Sequence, residues 1–102
     1  IVNSGSASGS VILMGALQDS KRAQVVGEKT FRKGTVNLVY ELSNGGAIYM
    51  TIGRWYTPSR RSINEGLIPD YEIYDSDAKL KDSLQLNKAT ELLENLIRVD
   101  AK

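Results

Sequence analysis

From Thr35 to Leu42 the apolar residues Val36, Leu38, Tyr40 and Leu42 occupy the even positions, with mostly polar residues between them. Side chains two apart share one face of a strand, so the alternation predicts a half-buried β-strand. Ser43-Asn44-Gly45-Gly46 follows and supplies residues that tolerate positive φ. Ala47 to Tyr56 then reads as a second strand with Ile48, Met50 and Ile52 on one face. The pair predicts a β-hairpin. Around it, a chain of 102 residues has room for a single core, as one domain or part of one.

Other segments read less sharply. Residues 10–19, SVILMGALQD, are apolar at 11, 12, 13, 14, 16 and 17, which covers nearly every side of a helix and predicts a buried one. Ile1 to Asn3 reads as a strand, and Ala23 to Val26 as a short interior strand ending at Gly27. Residues 57–69 contain both prolines and read as a long loop, of the kind that often carries function. Tyr71 to Tyr74 is a candidate short strand. Leu86, Ala89, Leu93, Leu96 and Ile97 predict an amphipathic C-terminal helix that packs this stripe, with Asp82 and Gln85 spaced like a capping box. Opening inside a strand without Met, the chain reads as a piece of a longer protein.

Several chemistries drop out on composition. The chain has no histidine and no cysteine, which excludes Ser-His-Asp triads, HExxH zinc sites, thiolate nucleophiles and disulfides within it. The acidic residues show no metal-cluster spacing, and no cofactor is called for. At 41% hydrophobic and 25% charged residues, the composition is that of a soluble globular chain, and no apolar run is long enough to span a bilayer. Residues 1–62 hold eight Lys/Arg against three Asp/Glu, but these cations are scattered and read as a solvated surface, not a nucleic-acid face. Trp55, Tyr56 and Tyr49 read as core or rim of the hairpin.

What remains is serine with lysine. In NSGSASGS, residues 3–10, a strand turns through small residues into an apolar helix, which places Ser8 near free amides and the positive end of the helix dipole. An oxyanion there could be held by neighbouring N–H groups. The flanking residues are Ser6 and Ser10, so the G-x-S-x-G elbow pattern is absent, and a plain turn with Ser8 or Ser10 as N-cap is the alternative. Lys33 lies in the loop GEKTFRKG, residues 27–34, leaving a strand expected beside Ile1 to Asn3. It is a candidate general base, with a solvated surface lysine as the alternative. The same loop is not a phosphate cradle, since its K-G leads into a strand and not a helix.

Together these segments resemble the C-terminal processing (tail-specific) serine peptidases. That family carries N-x-G-S-A-S-A-S-E, then G-A-L-x-D, R-A-x-x-x-G-E-x-T-F-G-K-G-x-V-Q, a hairpin, Y-Y-T-P-S-G-R-S-I and G-I-x-P-D. The corresponding segments here are NSGSASGS, GALQD, RAQVVGEKTFRKGTVN, WYTPSRRSI and GLIPD, in the same order. The resemblance implies an α/β, crotonase/ClpP-like peptidase core, of which residues 1–102 are the C-terminal part, with the upstream half and any PDZ module outside it.

It also implies a serine-type endopeptidase that cleaves proteins near nonpolar C-terminal tails by a Ser-Lys dyad. The nucleophile falls on Ser8, the base on Lys33, the residue that orients the lysine on Asn37, and a backbone oxyanion donor on Gly9. No cofactor enters, and the implied location is the periplasm or cell envelope. This sequence departs from the pattern at Gly9 and Val11 (Ala and Glu in the family), Arg32 (Gly), Asn37 (Gln) and Arg60 (Gly). A catalytically inactive homologue that binds proteins or peptides is the alternative. Separated from the rest of its sheet, the segment is expected to be poorly active and to self-associate.

Overall fold

The computed structural model describes residues 1–100, without the Asp100 side chain. Its elements are α1 (Gly9–Asp19), β1 (Val26–Gly27), β2 (Thr35–Glu41), β3 (Ala47–Arg54), β4 (Tyr71–Glu72) and α2 (Ala78–Asp100). β1 pairs in parallel with β4, and Val2 pairs in parallel with Gly27 on the other side. Val2, α1 and β1 therefore form a strand, a helix and a parallel return, which needs a crossover of this kind. The architecture is mixed α/β, as expected, and the Ile1 to Asn3 segment does lie beside β1.

Gly27 sits at the centre of this sheet at φ 139°, and a Cβ built there would run into the Val2 carbonyl. Only glycine admits that approach. The small core is assembled from four stretches of chain: Val2, Val11 with Met14 on α1, Val25, and Ile63 with Leu67 from the long loop. Gly15 lets that loop close on α1, because a Cβ there would lie 2.7 Å from Thr57 Cγ2.

α1 does not bury all its sides. Val11, Met14 and Gly15 are buried, at the i, i+3, i+4 spacing of one face, while Leu13 is 61% exposed. The helix is apolar all round, but the described residues cover only one face of it. It ends in a Schellman motif, with Arg22 N–H donating to the Leu17 carbonyl and Lys21 N–H to that of Gln18. Lys21 holds φ 56°, the left-handed position where glycine is usual.

The predicted hairpin forms. Leu38 pairs with Met50 and Tyr40 with Ile48, and a three-residue connection with Gly45 at φ 87° joins the strands. The half-burial expected of β2 is confined to Thr35, Val36 and Asn37, while Leu38, Tyr40, Ile48 and Ile52 are all exposed. Among the described residues β2 and β3 pack on each other and on no other helix or strand. The molecule accordingly extends over 65 Å, with a radius of gyration of 17.6 Å, where a compact chain of this length has about 13 Å.

α2 begins four residues before the expected capping box. Asp77 is its N-cap, accepting the Leu80 amide at 3.0 Å, and this places Asp82 inside the helix. The expected apolar stripe is not what docks. Leu86, Leu93, Leu96 and Ile97 are exposed, and the covered face runs through Lys81, Gln85, Lys88, Ala89 and Leu92. Polar contacts fix this face: Gln85 Nε2 donates to the Ile73 carbonyl at 3.0 Å, and Lys88 Nζ lies 5.2 Å from the Tyr71 ring centre.

Candidate active site

The turn into α1 separates the three serines of NSGSASGS. Ser6 Oγ accepts the Asn3 amide at 3.0 Å, and Ser10 Oγ donates to the Ala7 carbonyl at 2.7 Å. Ser8 occupies the N-cap position, yet its hydroxyl makes no cap hydrogen bond. Its backbone is at φ 53°, ψ −125°, a conformation a residue with a Cβ rarely holds. Strain of this kind costs roughly 1–3 kcal/mol and persists only where the surroundings impose it. Here they do: the chain must leave the sheet at Val2, turn back at Asn3 to Ser6, and enter a helix whose Val11 and Met14 are held in the core.

Behind Ser8 the helix begins with Gly9. The first amides of a helix have no partner within it. The Val11 and Ile12 N–H groups both donate to the Ser8 carbonyl. The Gly9 amide stands before them at the positive end of the helix, and the site of a Cβ on Gly9 is open space.

The lysine segment reaches this turn through the backbone. Glu28 N–H donates to the Val2 carbonyl at 3.0 Å, Thr30 N–H to that of Leu67 at 3.0 Å, and Phe31 N–H to that of Ser6 at 3.0 Å. Gly34 is gripped next, its carbonyl accepting from Trp55 N–H at 2.7 Å. Arg32 and Lys33 form the short arch between Phe31 and Gly34.

Ser8, Gly9, Lys33 and Asn37, the four residues singled out in the sequence, all line one cavity of about 370 Å³. Its remaining walls include Ile12, Val36, Tyr49 and Trp55, which sequence patterns marked only as helix or hairpin residues, and Ile63 from the long loop expected to carry function. Ser8 and Lys33 are both exposed, and among the described residues no hydrogen bond joins the hydroxyl to the ammonium. Asn37 stands beside the hairpin's bulge, where Val36 pairs with Gly53 and Asn37 with Thr51. Its Oδ1 accepts from Thr51 Oγ1 at 2.7 Å and its Nδ2 donates to Thr35 Oγ1 at 3.3 Å, so the amide is braced within the hairpin.

A second polar group holds the far end of α1. Asp19 Oδ2 accepts the Ser59 amide at 2.9 Å, and Asp19 Oδ1 accepts Arg61 Nε at 2.9 Å. Arg61 Nη2 also donates to Gln18 Oε1 at 2.9 Å. The Thr57 hydroxyl, the Ser59 amide and the Arg61 guanidinium hold the Asp19 carboxyl well below its usual range, at about 2. The long loop that supplies Ile63 to the cavity is thus clamped to the helix that carries Ser8 at its other end. No local pattern in the sequence marked Asp19 or Arg61 for this, since 42 residues separate them.

Comparison with known proteins adds an independent finding. The model of peptidase family S41 matches residues 1–73. A carboxyl-terminal-processing protease of Synechocystis is 49% identical over 71 residues, 69% of this chain and 17% of the relative. Carboxyl-terminal-processing peptidase 2, chloroplastic, of Arabidopsis thaliana is 45% identical over 80 residues, 78% of this chain and 16% of the relative. Among solved structures, a photosystem II D1 C-terminal processing protease superposes with a TM-score of 0.64 at 41% identity, covering 76% of this chain and 21% of that one. The chain thus spans about a sixth of the length of these two sequence relatives.

Proposed function

The chain belongs to peptidase family S41, and from that premise we propose that it carries the nucleophile and general base of a serine-type endopeptidase that cuts proteins near nonpolar C-terminal tails. The observation that carries the reading is Ser8: a strained N-cap serine whose hydroxyl serves no cap, on the wall of a cavity shared with Lys33. In this reading residues 1–102 are the C-terminal part of a crotonase/ClpP-like catalytic core that works within a longer protein of the periplasm or cell envelope.

Lys33 Nζ, without its proton, takes the proton of Ser8 Oγ as the oxygen attacks the scissile carbonyl carbon. The Gly9 amide donates to the oxyanion that forms. Collapse breaks the C–N bond, and Lys33 returns its proton to the leaving amine. A water then attacks the acyl-enzyme, giving one proton to Lys33, which passes it back to Ser8 Oγ as the acid product leaves. Asn37 Oδ1 takes one hydrogen bond from Thr51 and has a second lone pair with which to orient the Lys33 ammonium. The apolar walls suit a nonpolar substrate side chain.

The test is peptide cleavage by the full-length protein with Ser8→Ala and Lys33→Ala, circular dichroism confirming the fold. Both changes abolish cleavage if the dyad operates, and cleavage that survives either one refutes it. Tail binding without turnover by the unmutated protein would instead make the chain an inactive, peptide-binding homologue.

A further inference from the structure

We propose that Glu28 and Lys81 are positioning residues for Lys33, so that α2 sets the geometry of the lysine arch; the inference rests on the dyad reading above. The Glu28 side chain is only 12% exposed, its Oε1 is shut off from solvent, and Lys81 Nζ lies 2.6 Å from that oxygen. The ammonium is in turn 5.7 Å from the centre of the Tyr74 ring. A carboxylate this enclosed needs its counterion, and removing one partner of such a pair leaves the other uncompensated. Contact with Glu28 raises the pKa of Lys81 above its usual value, which accords with an ion pair made in the folded chain.

The position of the pair gives it a role. Gln85 and Lys88 fasten α2 to Ile73 and Tyr71, on the β4 side of the sheet. Lys81, one helical turn earlier, reaches across to the opening of the lysine segment. From Glu28 the backbone runs through Thr30 to Phe31, whose N–H on the Ser6 carbonyl is the bond that ties this segment to the Ser8 turn. A Glu28 side chain released to water must swing out of its niche, and the backbone change is absorbed between the sheet at Gly27 and that bond. α2 lies beyond residues 1–73, the part of the chain that matches the family model.

Backbone hydrogen exchange in the full-length protein, with Lys81→Met, Glu28→Gln and the swap Glu28→Lys/Lys81→Glu, tests this without requiring turnover. Exchange at the Phe31 amide is expected to rise roughly tenfold in both single variants and to recover in the swap. Gln85→Leu, which removes the bond to the Ile73 carbonyl while Lys88 still holds α2 on Tyr71 and the Glu28–Lys81 pair stays in place, should leave Phe31 unchanged. In cleavage assays normalised to serine reactive with a covalent probe, kcat falls roughly tenfold in the single variants with KM within about twofold. Unchanged Phe31 exchange in Lys81→Met, or an equal rise in Gln85→Leu, overturns the assignment. An unmutated protein that exchanges as described but never cleaves overturns the dyad reading and not the hold of the pair on the arch.

Discussion

Replacing Ser8 by glycine should make the protein more stable while it abolishes cleavage. The conformation at Ser8, φ 53° and ψ −125°, penalises any Cβ, and strain of this class costs roughly 1–3 kcal/mol. Glycine releases it but adds roughly 0.5–1 kcal/mol of unfolded-state freedom to be lost on folding. No hydrogen bond of the cap is sacrificed, because the hydroxyl makes none, and the side chain is exposed. The net gain therefore lies between about 0 and 2.5 kcal/mol, centred on roughly 1 kcal/mol, and each kcal/mol raises Tm by roughly 4–8 °C in a domain of this size. Ser8→Ala keeps the Cβ and should stay within about 0.5 kcal/mol of the unmutated chain. Urea unfolding followed by circular dichroism measures both. Lys21→Gly and Arg60→Gly, at φ 56° and 65° and away from the Ser8 cavity, are controls expected to gain stability and leave cleavage intact. Should Ser8→Gly prove no more stable than Ser8→Ala, the reasoning from strain fails.

Three further outcomes are expected. Asp19 has its carboxyl held at about 2 against an ordinary 3.8, so it contributes stability that is present above pH 3.8 and is lost as pH falls towards 2; in urea titrations across that window Asp19→Asn should flatten the loss, and an unchanged slope would count against the clamp. Gly27→Ala drives a methyl into the Val2 carbonyl and should cost roughly 3 kcal/mol or more, read as a collapse of the unfolding midpoint. The isolated chain, with both faces of its hairpin bare beyond Asn37, should gain mass with concentration in light scattering, and a compact monomer at every concentration would contradict this.

The hairpin was legible because its signal is local: a period of two and a turn rich in asparagine and glycine suffice. Its exposure was not legible, because alternation states which side chains share a face and not whether anything covers that face. The same gap explains α1, whose all-round apolarity was read as all-round burial. For α2, spacing pointed to Asp82 as the cap, and the bond from the Leu80 amide to Asp77 puts the cap five residues earlier. The docking face of α2 was misjudged for a related reason, since Lys81 and Gln85 look solvent-bound until Glu28 and the Ile73 carbonyl are seen opposite them. Of the candidate site, residue types and order could be read, but the strain at Ser8 could not, because tertiary stitching sets its φ. Arg60 offered a hint: it stands where the family pattern quoted above has glycine, and its φ is positive.

The bond from the Phe31 amide to the Ser6 carbonyl carries a consequence for how such a chain tolerates change. It is made between main-chain atoms, and the Phe31 side chain itself is 51% exposed. Exchanging side chains at either end leaves it standing; at position 31 proline alone, lacking the amide hydrogen, removes it. Twenty-five positions separate Ser8 from Lys33, and this bond fixes the ends of that interval by count and not by chemistry. The segment can therefore drift widely in composition, whereas a single inserted or deleted residue beside the bond, between Ser6 and Ser8 or between Phe31 and Lys33, displaces one partner from the other.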